Sequence, residues 1–229
     1  MLLTSRLWVA AAGIAMVAAP AFGAEPDSKP VFENDRLRVS RIELVKNATI
    51  PTDKRYEAVT VQVGKGETQL LEPSQLAKPE PPGVGQVHYY VARSRRAVKN
   101  AGDAAVPMVL VQFLRPQGKY VTFEVPPTHY CNPESNKACV TEQYMFCTDR
   151  FCAENVTVEP GAVSTYHLHT DDYLIVATSD FAWRDEEMNK PANDVSFKTG
   201  DVKYMKAGAR HRLTNIGNTT ATVFVIQFK

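Results

Sequence analysis

The apolar residues of this chain fall into short runs rich in β-branched and aromatic side chains, separated by turn-forming residues. "VTVQV", "MVLVQFL", "VTFEV", "NVTVE", "YLIVAT", "DVSF" and "TVFVIQF" have the length and composition of β-strands. The polar stretches "PSQLAKPEPPGVG" and "RDEEMNKPAND" are expected to be loops, with a turn of helix suggested only by "DEEMN". No 3.6-residue periodicity is sustained beyond the N-terminal segment. The pattern therefore predicts an all-β protein made of small antiparallel barrels or sandwiches.

The N-terminus has a different pattern. Arg6 precedes an unbroken apolar run from Leu7 to Val17, and Ala21-Phe22-Gly23 follows with small residues at its first and third positions. These features predict a signal peptide over residues 1–23, removed before Ala24. The run is shorter than the ~20 apolar residues of a spanning helix, and Pro20 interrupts its end, so no stable membrane anchor is expected. The mature protein is expected to be secreted or periplasmic, in a bacterial style of leader.

The remainder carries an internal repeat. "KNAGDAAVPMVLVQFL" and "TNIGNTTATVFVIQFK" align at an offset of 115, pairing Asn100 with Asn215, Gly102 with Gly217, Gln112 with Gln227 and Phe113 with Phe228. The same offset pairs Gly85 with Gly200, Val87 with Val202 and Tyr89 with Tyr204. Upstream, after a one-residue gap, "NDRLRV" faces "TDRFCA" and Asn47 faces Gly161. A register held across both turns and strands implies duplication. The expected units are an N-terminal barrel over 31–115, a linker over 116–143 and a C-terminal barrel over 144–229.

Four cysteines cluster around the junction: Cys131, Cys139, Cys147 and Cys152. In an exported chain an even count points to disulfides, and no Cys-x-x-Cys spacing supports zinc. Cys131 and Cys139 enclose a polar loop, and Cys147 and Cys152 bracket a hairpin turn, which favours local pairing. The formal charge of +1 and pI near 7.7 give no electrostatic case for nucleic acid or an anionic membrane as a partner.

Candidate chemistry lies in "STYHLHTDDYL". On a strand, residues i and i+2 share a face, so His167 and His169 stand side by side, as either a metal grip or ordinary strand decoration. Gly161 is followed by five residues and then His167-x-His169, and Gly200, Gly208, His211 and Asn215 come later. This arrangement resembles the two motifs of the cupin family, and the repeat makes the whole mature chain resemble a bicupin. The resemblance implies two tandem jelly-roll barrels joined by a cysteine-containing linker. It also implies a site where His167, His169 and His211 hold one divalent transition metal, with Fe, Mn, Ni, Cu and Zn all compatible.

Two departures matter. Lys206 replaces the proline of the second motif, and Tyr173 and Leu174 stand where the first motif carries glutamate. Asp172 either bends inward as an additional ligand or forms a solvated turn with Asp171, and Tyr173 is a candidate hydroxyl partner at the site. In the first unit the repeat places Asp53, Arg55 and Arg96 where the second has its histidines. Guanidinium groups stay charged and offer no lone pair, so that barrel is expected to hold no metal. Cupin resemblance implies a dioxygenase-like oxidoreductase acting on a small molecule. The alternatives are a metal- or small-molecule-binding module without turnover, or a structural protein with a degenerate site, as a monomer or homodimer.

Overall fold

The computed structural model describes residues 28–50, 55–71, 83–115, 118–121, 125–133 and 137–229. The expected signal peptide and Asp53 lie outside them.

The chain is β throughout these residues. In the first half, β1 (Ser28–Glu33), β2 (Leu37–Leu44), β4 (Glu57–Gln62), β6 (Val87–Tyr90) and β8 (Val106–Phe113) form one antiparallel sheet in the order β1-β2-β8-β4-β6. A smaller sheet of β3 (Thr49–Ile50), β7 (Ala97–Asn100) and β5 (Thr68–Leu71) closes over it. In the second half, β10 (Thr128–Tyr130), β11 (Val140–Thr148), β12 (Phe151–Val158), β19 (Ala221–Phe228), β14 (Tyr173–Ala177) and β17 (Val202–Met205) form the larger sheet, with β9 (Tyr120–Val121) paired to β11. Its smaller partner runs β13 (His167–Leu168), β18 (Arg210–Asn215), β15 (Phe181–Glu187), β16 (Asn193–Phe197).

The two larger sheets explain the unbroken apolar runs. Strand β19 sends Ala221, Val223 and Val225 into its own barrel, while Phe224, Ile226 and Phe228 pack on the other half. Strand β8 does the same with Met108 and Leu110 on one face and Val109, Val111 and Phe113 on the other. A strand buried on both faces cannot alternate apolar with polar. Between the halves, Phe113 stacks on Phe151 at 4.3 Å between ring centroids. Tyr204 stacks on Phe32 at 4.9 Å and Tyr89 on Phe146 at 5.0 Å, so repeat-related tyrosines each cross to the opposite half.

The repeat is visible in its polar anchors. Asn100 donates Nδ2 to the Leu44 and Ala104 carbonyls and accepts from Gly102 N–H. Asn215 makes the same bonds to Val158, Thr219 and Gly217. Asn34 Oδ1 caps the turn into β2 by accepting from the Arg36 and Leu37 amides, and Thr148 Oγ1 does so for Arg150 and Phe151. Asn47 and Gly161, paired by sequence, both have positive φ, 61° and 77°, so the backbone is left-handed at this corner in both halves.

Both expected disulfides, Cys131–Cys139 and Cys147–Cys152, are formed, the second joining directly opposed residues of β11 and β12. Two segments differ from expectation. Asp185, Glu186 and Glu187 of "DEEMN" are not helical but finish β15, paired to Leu213, Arg212 and His211 of β18. Strand β11 already begins at Val140, within the segment expected to link the barrels, because its edge pairs with β12 as β1 pairs with β2.

Candidate metal centre

The site is built from the loop around β13 and from β18. His167 lies directly opposite His211 in the β13–β18 register. Beyond β13, the His169 amide donates to the Ala209 carbonyl at 3.0 Å and the Gly208 amide to the His169 carbonyl at 2.8 Å. Gly208, at φ 99°, makes the tight turn that this reciprocal pair requires. The strand pairing and this loop clasp bring the three rings together, with centroids 4.7 Å apart for His167–His211, 4.9 Å for His167–His169 and 5.2 Å for His169–His211.

Hydrogen bonding fixes how two of the rings present their nitrogens. A carbonyl oxygen only accepts, so the 2.9 Å contact of His167 Nδ1 with the Thr165 carbonyl puts the proton on Nδ1 and the lone pair on Nε2. His211 Nδ1 lies 2.7 Å from Asp185 Oδ1, leaving its Nε2 buried without a hydrogen-bond partner. His167 Nε2 and His169 Nε2 stand 3.1 Å apart. One potential donor atom from each ring falls within 4.8 Å of the others. The His167 lone pair and the orphaned His211 nitrogen, with His169 Nε2 beside them, are poorly satisfied by one another and well satisfied by a shared cation, so the residues fit a transition metal. Burial lowers the His167 pKa, and burial with the neighbouring imidazoles lowers that of His169 to about 4.

Asp172 is not turned towards this site. Its carboxylate accepts from the Tyr204 hydroxyl at 2.6 Å, from Lys206 Nζ at 3.1 Å and from the Ala207 amide at 2.8 Å. The Tyr204 bond, with those of Ala207 and Lys206, lowers its pKa to about 2. The repeat explains this placement, because in the first half Glu57 accepts from Tyr89 in the same way. Asp172 is a structural clasp rather than an additional ligand. Tyr173, one residue on, points the other way and stacks its ring on His169 at 3.9 Å. The hydroxyl partner expected of Tyr173 is replaced by a ring contact that orients an imidazole.

The imidazoles open on a cavity of about 220 Å³, whose lining includes Tyr144, Tyr173, Trp183, Phe197, Gln227 and Met205. Its polar wall carries Glu142, Glu154, Asp185 and Lys203. Burial, aided by the Glu142 charge, pushes the Glu154 carboxyl up to about 7. Sequence reasoning missed Asp185 and Glu142. The usable signal for Asp185 was its alternation with Trp183, since both face the interior from one strand. Of the other histidines, His88 is buried in the first half. His129 bonds Thr141 through Nδ1; it also lies near Cys131 and Cys139, whose sulfurs are committed to a disulfide. In the first half, Arg55 and Arg96 are exposed, with the Arg55 guanidinium 5.4 Å from the Tyr56 ring centroid.

No family model matches the sequence, and no curated protein matches it. Solved structures do. A putative glyoxylate-induced protein from Pseudomonas aeruginosa superposes with a TM-score of 0.65 at 14% identity, over 88% of this chain and 79% of that one. A cupin 2 conserved barrel domain protein from Leptotrichia buccalis gives 0.56 at 13% identity, over 90% of each chain. Oxalate decarboxylase from Bacillus subtilis, a protein with Mn(II) centres, gives 0.52 at 15% identity, over 84% of this chain and 69% of its own. Sheet order, duplicated anchors and these neighbours agree on one architecture: the chain has the fold of two tandem cupin barrels.

Proposed function

We propose that this protein is an exported bicupin that binds one divalent transition metal through His167, His169 and His211. The C-terminal cavity then acts on a small molecule as a metal-dependent, dioxygenase-like oxidoreductase. The observation that carries this reading is the convergence of three imidazole nitrogens, one of them buried without a partner, at the wall of a cavity. When bound, the metal would supply Lewis acidity or redox chemistry with coordination positions left open.

The chain's own residues have separable tasks. Asp185 holds His211 in the tautomer that directs Nε2 inward. Tyr173 fixes the His169 ring by stacking. Trp183, Phe197 and Val225 exclude water from one wall, and Glu154 is placed to take or give a proton near neutral pH. Export is supported by the leader-like residues 1–23 and by two disulfides, which persist in oxidising compartments.

The test has two stages. Protein purified without chelator is assayed for metal by elemental analysis, with close to one transition metal per chain expected. Oxygen consumption by the iron-loaded protein is then followed across phenols, diketones and thiols. Turnover with one class supports the enzyme; stoichiometric metal with no turnover under any metal replaces it with a binding module.

A further inference from the structure

The wall facing the imidazoles carries a charge pattern that selects among ligands. In the β11–β12 pairing Glu142 is opposite Val156 and Glu154 is opposite Tyr144. The two glutamates are thus diagonal neighbours on the inward face, with Cα atoms roughly 7–8 Å apart. The Tyr130 hydroxyl donates to Glu142 at 3.1 Å. The Glu154 carboxylate has no ion pair and no hydrogen bond among the described residues. Asp185, the third carboxylate, is occupied by His211.

Cationic groups are scarce. Among the described residues that line the cavity there is no arginine, and Lys203 is the one cation. Its Nζ sits 5.9 Å from the Phe197 ring centroid. In the sheet order its strand, β17, is separated from that of Glu154 by β19 and β14. A dicarboxylate entering here would meet two carboxylates with no guanidinium to bind it, which is unfavourable for like charges in a partly desolvated site. A protonated amine meets the opposite situation. It can form charge-assisted hydrogen bonds to both glutamates, lies beside the Tyr144 ring, and offsets the burial and the Glu142 repulsion that together raise the Glu154 pKa. The buried, unpartnered His211 Nε2 belongs to the same cavity and offers a second point of contact.

We infer that the cavity binds a small amine: a molecule whose protonated nitrogen sits between Glu142 and Glu154 while a second donor group reaches the imidazole end. The inference rests on the proposed metal site for that second contact only; the ammonium contact needs no metal. Histamine and imidazole-4-acetate are suitable probes because they share a ring and differ in the charge of the side chain. Titration calorimetry at pH 8 is run with the full chain, both metal-free and loaded with Co(II), and cobalt content is measured separately. Histamine is expected to bind at least about tenfold more tightly than imidazole-4-acetate in both forms. Glu154→Gln should remove most of that gap without changing cobalt content. Histamine preference in a protein that takes up no cobalt would retain the inference and remove the metal reading. Equal or reversed affinities, binding of neither probe, or a gap unchanged in Glu154→Gln would overturn the inference even with cobalt bound.

Discussion

The two barrels share a frame and differ in what fills it. Each has an asparagine tying a strand end to two carbonyls, a side-chain-capped turn into its second long strand, and a tyrosine clasping a carboxylate while stacking across the interface. The interiors diverge position by position. Where the second barrel has Tyr173 opposite Met205, the first has Ala58 opposite Tyr90, and the Tyr90 hydroxyl lies 3.3 Å from Thr60 Oγ1 in a core with Met108 and Leu110. By the same registers Leu70 takes the place of Asp185 and Ser40 that of Glu154, and the sequence offset of 115 matches the exposed Arg96 to His211. Anchors that satisfy backbone groups specify a backbone, and that backbone accepts either a packed interior or a polar cavity. The difference between halves is thus a difference of side chains on one scaffold.

The largest effect probes what the halves share. Asn100→Ala and Asn215→Ala each strip two carbonyls, one of them in a buried bond, and one amide of their partner, and each should cost about 2–4 kcal/mol in denaturant unfolding. Costs that differ by more than about 2 kcal/mol would mean that the anchors are not equivalent. A sharper contrast concerns the metal alone. Asp185→Asn should weaken metal binding about 10–100-fold, measured by competition with a chromophoric chelator, whereas Leu70→Ala should lower stability and leave metal affinity unchanged.

The smallest effect is a pH signature. A carboxyl whose pKa is raised in the folded state contributes its stability below the unfolded pKa and loses it as pH rises through the folded value. For Glu154 the window runs from about 4.5 to about 7. Metal-free protein should therefore lose on the order of 1–2 kcal/mol across it from this group. Glu154→Gln should flatten that slope, and Ser40→Ala in the other barrel should leave it intact. An unchanged slope in Glu154→Gln would show that the cavity does not hold the carboxyl protonated.

Much of this was legible in the sequence because it is local or repeated. Strand runs such as "YLIVAT" and "TVFVIQF" carry their own signal, and the offset of 115 reappears in paired residues such as Ala58–Gln112 and Tyr173–Gln227. His167 and His169 are neighbours by strand alternation, and the motif spacing pointed to His211, whose ring the structure places beside theirs. What was hidden depends on pairing between distant segments. Asp185 lies in a stretch whose charge and turn residues suggest a loop, and only its register against β18 turns it towards His211. Glu142 becomes a cavity residue through the β11–β12 pairing, although its surroundings look like linker. Asp172 and Tyr173 were the ambiguous pair, and alternation separates them: consecutive residues entering one strand face opposite ways, so the aspartate clasps Tyr204 while the tyrosine meets His169.

The central claim is that metal belongs to one barrel and to three named side chains. The direct measurement is metal per chain by elemental analysis, for the unaltered protein, for His167→Ala/His211→Ala and for Arg96→Ala, each verified as folded by its β-type circular dichroism. The account predicts close to one metal per chain in the unaltered protein and in Arg96→Ala, and almost none in the double variant. Full occupancy in the folded double variant, or loss of metal in Arg96→Ala, would contradict it.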